Sequence, residues 1–342
     1  MNNYTFPLLK LLADGKFHSG EALATQFGVT RATIWNAVQH AENLGIEVFS
    51  VRGRGYKLPQ AIDFLDENEV LKAIGEQRAW FKLQILDEVP STNTYLMQQA
   101  TKGAAHVSCV AAHVQTKGRG RRGRAWVSAL GSSLTFSLLW RFNCGAAALS
   151  GLSLAVGVAL IRALASLGVQ NAQLKWPNDV LILDEKAGYK KLAGILIDLQ
   201  GDLDGPSAAV IGIGINLRLP ESVLKNIDQP AIDLVRAGDL ATSNIHAPSS
   251  PIDQNKLLGV LLKNLVEVLS DFEQNGFLSV KDEWLRYHAY HHKGVRLLLP
   301  NGTDVQGVVK DVADDGILLV ETALGLQRFS AGEISLKGLN FG

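Results

Sequence analysis

Cysteine is nearly absent: Cys109 and Cys144 are the only two among 342 residues, which excludes a disulfide framework and points to a reducing compartment. The N-terminus lacks the basic, apolar and small-residue succession of a secretory leader, so a cytoplasmic protein is expected. No Ser, Thr or Cys stands in a nucleophile motif. His106, Cys109 and His113 have metal-like spacing but sit in a strand-like run that splits them between faces, so no metal site is expected. His288, His291 and His292 are expected to be solvated at a domain junction. One long uncharged run, residues 142–161, has the length of a membrane span, but its glycines, serines and alanines make it weakly hydrophobic. It is expected to be a buried helix with Leu149, Leu152, Val156, Leu160 and Leu164 on one face, and no membrane contact is expected. Tandem repeats and low-complexity segments are also lacking.

The most informative absence is that of negative charge. The chain is neutral overall, yet no Asp or Glu occurs between Val89 and Asn178, where nine basic residues stand. Residues 1–60 hold six basic and four acidic side chains, 61–88 three and seven, and 179–342 fifteen and twenty-two. A stretch that is basic and otherwise apolar implies a folded site for a polyanion, either nucleotide phosphates or nucleic acid. With 47% hydrophobic and 19% charged residues, the chain is expected to form two or three packed domains.

The first sixty residues carry a helix-turn-helix pattern. Leu23 and Phe27 lie four apart, Ala24 permits close helix approach, Gly28 is free to turn, and Thr30 caps a second helix. On that helix Ile34 and Val38 face inward, leaving Arg31, Thr33, Asn36 and Gln39 toward DNA. Residues 48–58 form two short strands around a glycine turn, a wing with Arg52 and Arg54 at its tip. So small a net charge implies weak binding by one copy and specific binding by two. Pro59 and the acidic stretch 63–69 mark a linker into a larger α/β domain with a mixed sheet and helices on one side. After Lys293, short strands with turns at Pro300-Asn301-Gly302 and Asp314-Asp315-Gly316 suggest a small all-β barrel, its last strand at 333–336. The expected domains are 1–62, 63–288 and 289–342.

Gly118-Arg119-Gly120-Arg121-Arg122-Gly123 matches a dinucleotide fingerprint in letters only, since no helix follows and no acid lies about twenty residues on. Its glycines let the backbone wrap a ligand, and its arginines pair with phosphate or carboxylate. Mutual repulsion should leave this loop mobile until an anion orders it. Lys175-Trp176-Pro177-Asn178-Asp179 ends a strand and turns; Asp179 is suited to holding Mg²⁺ against a triphosphate or to acting as a base. Lys191 opens an apolar strand and either reaches a partner or guards an edge. Gly212-Ile213-Gly214-Ile215-Asn216 suggests close backbone approach to a ligand, with the Asn216 amide free to read a polar group. Ser91-Thr92-Asn93 precedes a helix and serves equally as a simple cap.

Taken in order, Ser91-Thr92-Asn93, the Arg-Gly loop followed by Trp126, Lys175-Trp176-Pro177-Asn178-Asp179, Lys191-Leu192-Ala193-Gly194 and Gly212-Ile213-Gly214-Ile215-Asn216 closely resemble the bifunctional biotin–protein ligases, over essentially the whole chain. The resemblance implies an α/β (α+β) chain: a winged helix-turn-helix, a mixed-sheet ligase domain related to class II synthetase-like folds, and an SH3-like C-terminal barrel. It implies that Ser91, Thr92 and Asn93 bind the biotin ring, with Gln115, Arg119, Gly120 and Arg121 along biotin and its carboxylate. Lys191 would touch the activated carboxyl group, and Arg121, Trp126, Lys175, Asp179 and Asn216 would surround ATP or the adenylate. Arg119, Arg121, Lys175, Asp179 and Lys191 would carry catalysis, with ATP and Mg²⁺ as cofactors and biotinyl-5′-AMP as intermediate and corepressor. Expected partners are a biotin carboxyl carrier protein, operator DNA and, with adenylate bound, a second copy. The segment 184–190 is longer than the tight turn usual in this family, leaving Lys190 and Lys191 as adjacent candidates. A non-catalytic ligand-sensing regulator and a lipoate-type ligase are the competing readings; the four-arginine loop argues against the latter.

Overall fold

The computed structural model describes residues 3–127, 129–201, 205–241, 252–299, 302–330 and 335–338. Pro300, Asn301 and Glu333 of the expected barrel turns and strand lie outside them. The N-terminal unit consists of α1 (Thr5–Leu11), α2 (Gly20–Phe27), α3 (Arg31–Asn43), β1 (Phe49–Val51) and β2 (Gly55–Lys57). Gly28 ends α2 at φ 64°, and the Thr30 hydroxyl accepts from the Thr33 amide at 3.2 Å to start α3, as the residue order requires. Helix α1 was not evident in the pattern. It buries Phe6, Leu8 and Leu9 against Leu23, Ile34 and Val38.

The acidic stretch is only partly linker. Asp66 caps α4 (Glu67–Ile74) by accepting from the Glu69 amide, so Glu67 and Glu69 fill the first helical turn, where the dipole favours carboxylates. Next come β3 (Lys82–Val89), α5 (Thr92–Thr101), β4 (Ser108–Gln115), β5 (Ser133–Phe142), α6 (Leu152–Ser166), β6 (Ala172–Lys175), β7 (Asp179–Asp184), β8 (Gly188–Gly201) and β9 (Ser207–Asn216). These seven strands form one sheet in the order β3-β4-β5-β9-β8-β7-β6, parallel only between β3 and β4. The helices α7 (Glu221–Leu224), α8 (Leu234–Ala241), α9 (Gln254–Asn275) and α10 (Lys281–Tyr287) follow.

Helices cover both faces of this sheet, contrary to the one-sided expectation. Strand alternation sends Cys109, Ala111, Leu138 and Ile211 to the core beneath α6 and α9. Val110, Leu139 and Val210 point the other way, under Leu96 and Ala100 of α5. The apolar run 142–161 ends in α6, which is buried almost all round rather than on one face, Leu154, Ala155 and Val158 included.

The C-terminal strands β10 (Gly294–Leu298), β11 (Asp304–Val312), β12 (Leu318–Thr322), β13 (Gly325–Phe329) and β14 (Ser335–Gly338) pair antiparallel in the order β13-β12-β11-β10-β14. Their turn 314–316 docks on the central α/β domain: the Trp176 indole donates to the Gly316 carbonyl at 3.0 Å, and the Ser150 hydroxyl donates to that of Asp315. His288 corrects the expectation of solvation. It is buried, stacked on Trp284 at 4.5 Å between centroids, and burial pushes its pKa down to about 3. The winged helix docks too. His113 of β4 lies between Phe6 and Phe64, Val114 joins the N-terminal core, and Lys10 pairs with Asp87 at 3.4 Å.

Candidate active site and DNA interface

One end of the sheet gathers the motifs. Ser91 caps α5 by accepting from the Thr94 amide, burying Thr92 and Asn93 at the helix start. The Gln115 side-chain oxygen accepts from both the amide and the hydroxyl of Thr92, at 2.8 and 3.2 Å. Ser137 Oγ lies 2.6 Å from Asn93 Oδ1. Gly212 makes room: a Cβ there would stand 2.0 Å from Asn93 Oδ1. Ser91, Thr92, Asn93 and Gln115, with Arg119, Gly120, Arg121, Trp126 and Lys191 among others, line a narrow cavity of about 60 Å³.

The Arg-Gly loop folds on itself. The Gly120 amide donates to the Arg124 carbonyl at 2.7 Å, Arg119 bridges Ala125, and residues 121–123 form a tight turn with Arg122 in the left-handed region at φ 58°. No Rossmann-type helix opens from it. Arg121 donates to Asn178 Oδ1 at 3.2 Å, and burial lowers its pKa. Trp126 lies over Gly214, where a Cβ would approach the indole to 2.4 Å, and its Nε1 is buried without a hydrogen-bond partner among the described residues.

Lys175 ends β6, residues 176–178 turn, and Asp179 opens β7. Asp179 Oδ1 and Lys191 Nζ lie 2.6 Å apart, both largely buried. A register shift between β7 and β8 sets Leu181 opposite Lys191; such a bulge re-aims a side chain, and the Lys191 ammonium stands 5.8 Å from the Trp126 ring. Strand β8 is interior at Lys191, paired to β7 on one side and bridged to Ala231 on the other, so edge protection is not the reason for this lysine. Lys190 instead pairs with Asp184 at 2.8 Å. Burial lowers the Lys175 pKa; Lys191, Arg124 and Lys337 push the same way, while Asp179 opposes. Asn216 departs from expectation: its amide is not free, donating to the carbonyls of Lys191 at 3.3 Å and Ile232 at 3.0 Å. It holds the segment 230–232 against β8.

Beyond Trp126 and Lys191 opens a larger cavity of about 610 Å³, lined by Arg124, Lys175, Asp179, Asn216, Tyr189, Tyr290 and Lys337 among others. A slot rich in neutral hydrogen-bonding groups thus meets a cation-lined chamber at Lys191. Such an arrangement brings a carboxylate to a phosphate while offsetting their repulsion. Sequence reasoning missed Tyr189, Tyr290 and Lys337, which become neighbours only when the barrel docks. It also missed Asp198, a lone acid in an apolar strand.

On α3, Arg31 and Asn36 are exposed, and Arg52 and Arg54 project at the wing tip. Thr33 and Gln39 are half-buried; the Thr33 hydroxyl is 3.0 Å from that of Thr30, and Gln39 donates to Glu42 at 2.7 Å. Trp35, 53% exposed on the same helix, had not been singled out.

The chain matches the model of the biotin/lipoate A/B protein ligase family over residues 86–216, of an HTH domain over 6–57, and of the biotin protein ligase C terminal domain over 292–337. It is 34% identical over 339 residues to the bifunctional ligase/repressor BirA of Salmonella typhimurium, covering 98% of this chain and 99% of that protein. The BirA of Escherichia coli is 34% identical over 339 residues, with 98% of each chain covered. The fold is similar to that of the biotin protein ligase from Aquifex aeolicus in complex with biotin and ATP, with a TM-score of 0.60 and 28% identity, covering 75% of this chain and 99% of that one.

Proposed function

From a chain that belongs to the bifunctional biotin protein ligase/repressor family, we infer an ATP-dependent, AMP-forming biotin–[acetyl-CoA-carboxylase] ligase that also represses transcription. The biotin carboxylate oxygen attacks the α-phosphorus of ATP, pyrophosphate leaves, and biotinyl-5′-AMP forms. A lysine amine of the biotin carboxyl carrier protein then attacks the anhydride carbonyl, giving the amide, AMP and a proton. The observation that carries this reading is the junction of the small polar slot with the larger cationic cavity at Lys191 and Trp126.

Ser91, Thr92, Asn93, Gln115 and Gly120 hold biotin, while Arg119, Arg121 and Lys191 face its carboxylate. Lys175, Arg121 and Lys191 offset the charge that builds up as pyrophosphate departs. Trp126 and Asn216 wall the nucleotide, Asn216 through the backbone that its amide fixes. The orphaned Trp126 N–H and the cluster of cations suit a nucleotide ligand. Asp179 lies beside Lys191, where it accepts the proton of the incoming amine; an ordinary lysine has a pKa of about 10.4 and needs such an acceptor. Mg²⁺ bound with the nucleotide would offset phosphate charge and would draw its ligands chiefly from phosphate and water, since Asp179 is already paired with Lys191.

The units 1–62, 63–288 and 289–342 act as DNA-binding, ligase and barrel domains, in the cytoplasm. With adenylate bound, two copies associate and present two α3 helices and two wings, with Arg31, Thr33, Asn36, Gln39, Arg52 and Arg54, to a palindromic operator. Biotin-dependent ATP–pyrophosphate exchange, run beside lipoate and octanoate, tests the chemistry. Exchange with biotin alone is expected; tight biotin binding without exchange would leave a ligand sensor, and exchange with lipoate would assign the related ligases. Sedimentation with and without adenylate tests association, and an unchanged monomer fraction would refute it.

A further inference from the structure

Asp198 stands in β8 with both carboxylate oxygens committed. Oδ2 accepts from Asn93 Nδ2 at 3.1 Å and from Arg119 Nη1 at 3.1 Å, and Oδ1 accepts from Arg119 Nη2 at 3.4 Å. A carboxylate only accepts, as does the Leu196 carbonyl, so the two together decide which end of the Asn93 amide faces the sheet. The Asn93 NH₂ turns toward Asp198 and the Leu196 carbonyl at 3.0 Å, leaving Oδ1 to accept from the Ser137 hydroxyl. The same carboxylate grips Arg119, a half-exposed guanidinium in a segment with three more arginines within five residues. Like charges crowded in that way spread apart unless a counter-charge holds them.

We propose that Asp198 is a positioning residue for biotin capture. It acts through Arg119 to keep the Arg-Gly loop folded over the slot before ligand arrives, and through Asn93 to set the amide that faces the ligand. This rests on the reading of the slot as the biotin site. The role predicts a split: Asp198 reaches no reacting atom, so its charge governs capture of biotin and not the rate of turnover.

The test compares wild type with Asp198→Asn, which keeps an oxygen acceptor and removes the charge. In the ligand-free protein, trypsin cleavage within 117–124, followed by mass spectrometry, should accelerate about tenfold, the factor expected for losing one charge-assisted pair. In biotin-dependent exchange, KM for biotin should rise by about the same factor while kcat and KM for ATP stay within about twofold. In an Arg119→Ala background, Asp198→Asn should add little further cleavage. Unchanged cleavage and KM, equal losses in kcat, or full additivity in that background would overturn the role. If Asp198→Asn lowers Tm, Arg119→Gln breaks the same pair from the loop side and must reproduce the faster cleavage; failure to do so also overturns it. Absence of exchange in wild type would defeat the biotin reading, while the cleavage comparison still decides for or against Asp198.

Discussion

Asp179 and Lys191 form an ion pair of 2.6 Å at the wall between the slot and the larger cavity. Neither partner is placed by its own strand alone. Asp179 begins β7 directly after the Trp176 turn, and Lys191 sits at a register shift on the neighbouring strand. The pair joins a cation that can follow the activated carboxyl group to a carboxylate that can take a proton.

Lys191→Ala should therefore reduce biotin-dependent pyrophosphate exchange by about 10²- to 10³-fold, the usual loss when one preorganised charge-stabilising donor is removed. Asp179→Asn should spare exchange more than transfer to the carrier lysine, since only transfer requires the acceptor. Single-turnover transfer from preformed adenylate distinguishes the two steps. Equal loss in both steps for Asp179→Asn would remove the proton-acceptor role.

The glycines of β9 divide the site in a testable way. Gly212 faces Asn93 and Gly214 faces Trp126, with Cβ clearances of 2.0 and 2.4 Å. A methyl group at either position must displace its neighbour. Gly212→Ala should raise KM for biotin and Gly214→Ala KM for ATP, each by about tenfold or more if the displacement costs at least ~1.4 kcal/mol. Identical effects on both substrates would contradict the division.

Local chemistry was legible and distant chemistry was not. Gly28, Thr30 and the glycine turn of the wing announced themselves because caps and turns are settled within four residues. Helix α1 gave no such sign, since Tyr4 at its start makes no side-chain cap. The amide of Asn216 was misjudged because its partner Ile232 is sixteen residues away in a loop without a pattern. His288 departs from the solvent that a cluster of histidines suggests because it stacks on Trp284 of α10 and bridges Leu174 of β6. Asp198 was invisible because its partners lie 105 and 79 residues away.

His113 links acidity to domain docking. Burial against Phe6 and Phe64 pushes its pKa down to about 4 from 6.5, with Lys10 pushing the same way and Asp87 opposing. Between those values the unfolded chain holds a proton that the folded chain does not, so stability is complete above pH 6.5 and falls as pH drops toward 4. Going from pH 7 to 5 should cost about 2 kcal/mol through this group. His288, depressed to about 3, adds a similar loss. Chemical denaturation of His113→Phe at both pH values should recover the His113 share only; an undiminished pH dependence would place the ring in water.

At the wing tip the Arg54 guanidinium stacks on Phe17 at 4.0 Å from the ring centroid, with Lys57 at 5.7 Å from the same ring. The aromatic face fixes the direction of a charge that would otherwise wander on an exposed turn. Each phosphate contact releases condensed counterions, so a lost contact lowers the slope of log K against log salt by about 0.9. For two wings on one duplex, Arg54→Ala should lower it by about 2, measured by anisotropy on a mixed-sequence duplex across a salt series. Arg54→Lys should keep the slope while weakening binding, because it retains charge and loses the planar stack. A slope equal to wild type in Arg54→Ala would mean that the wing stands clear of the phosphates and that α3 alone meets the DNA.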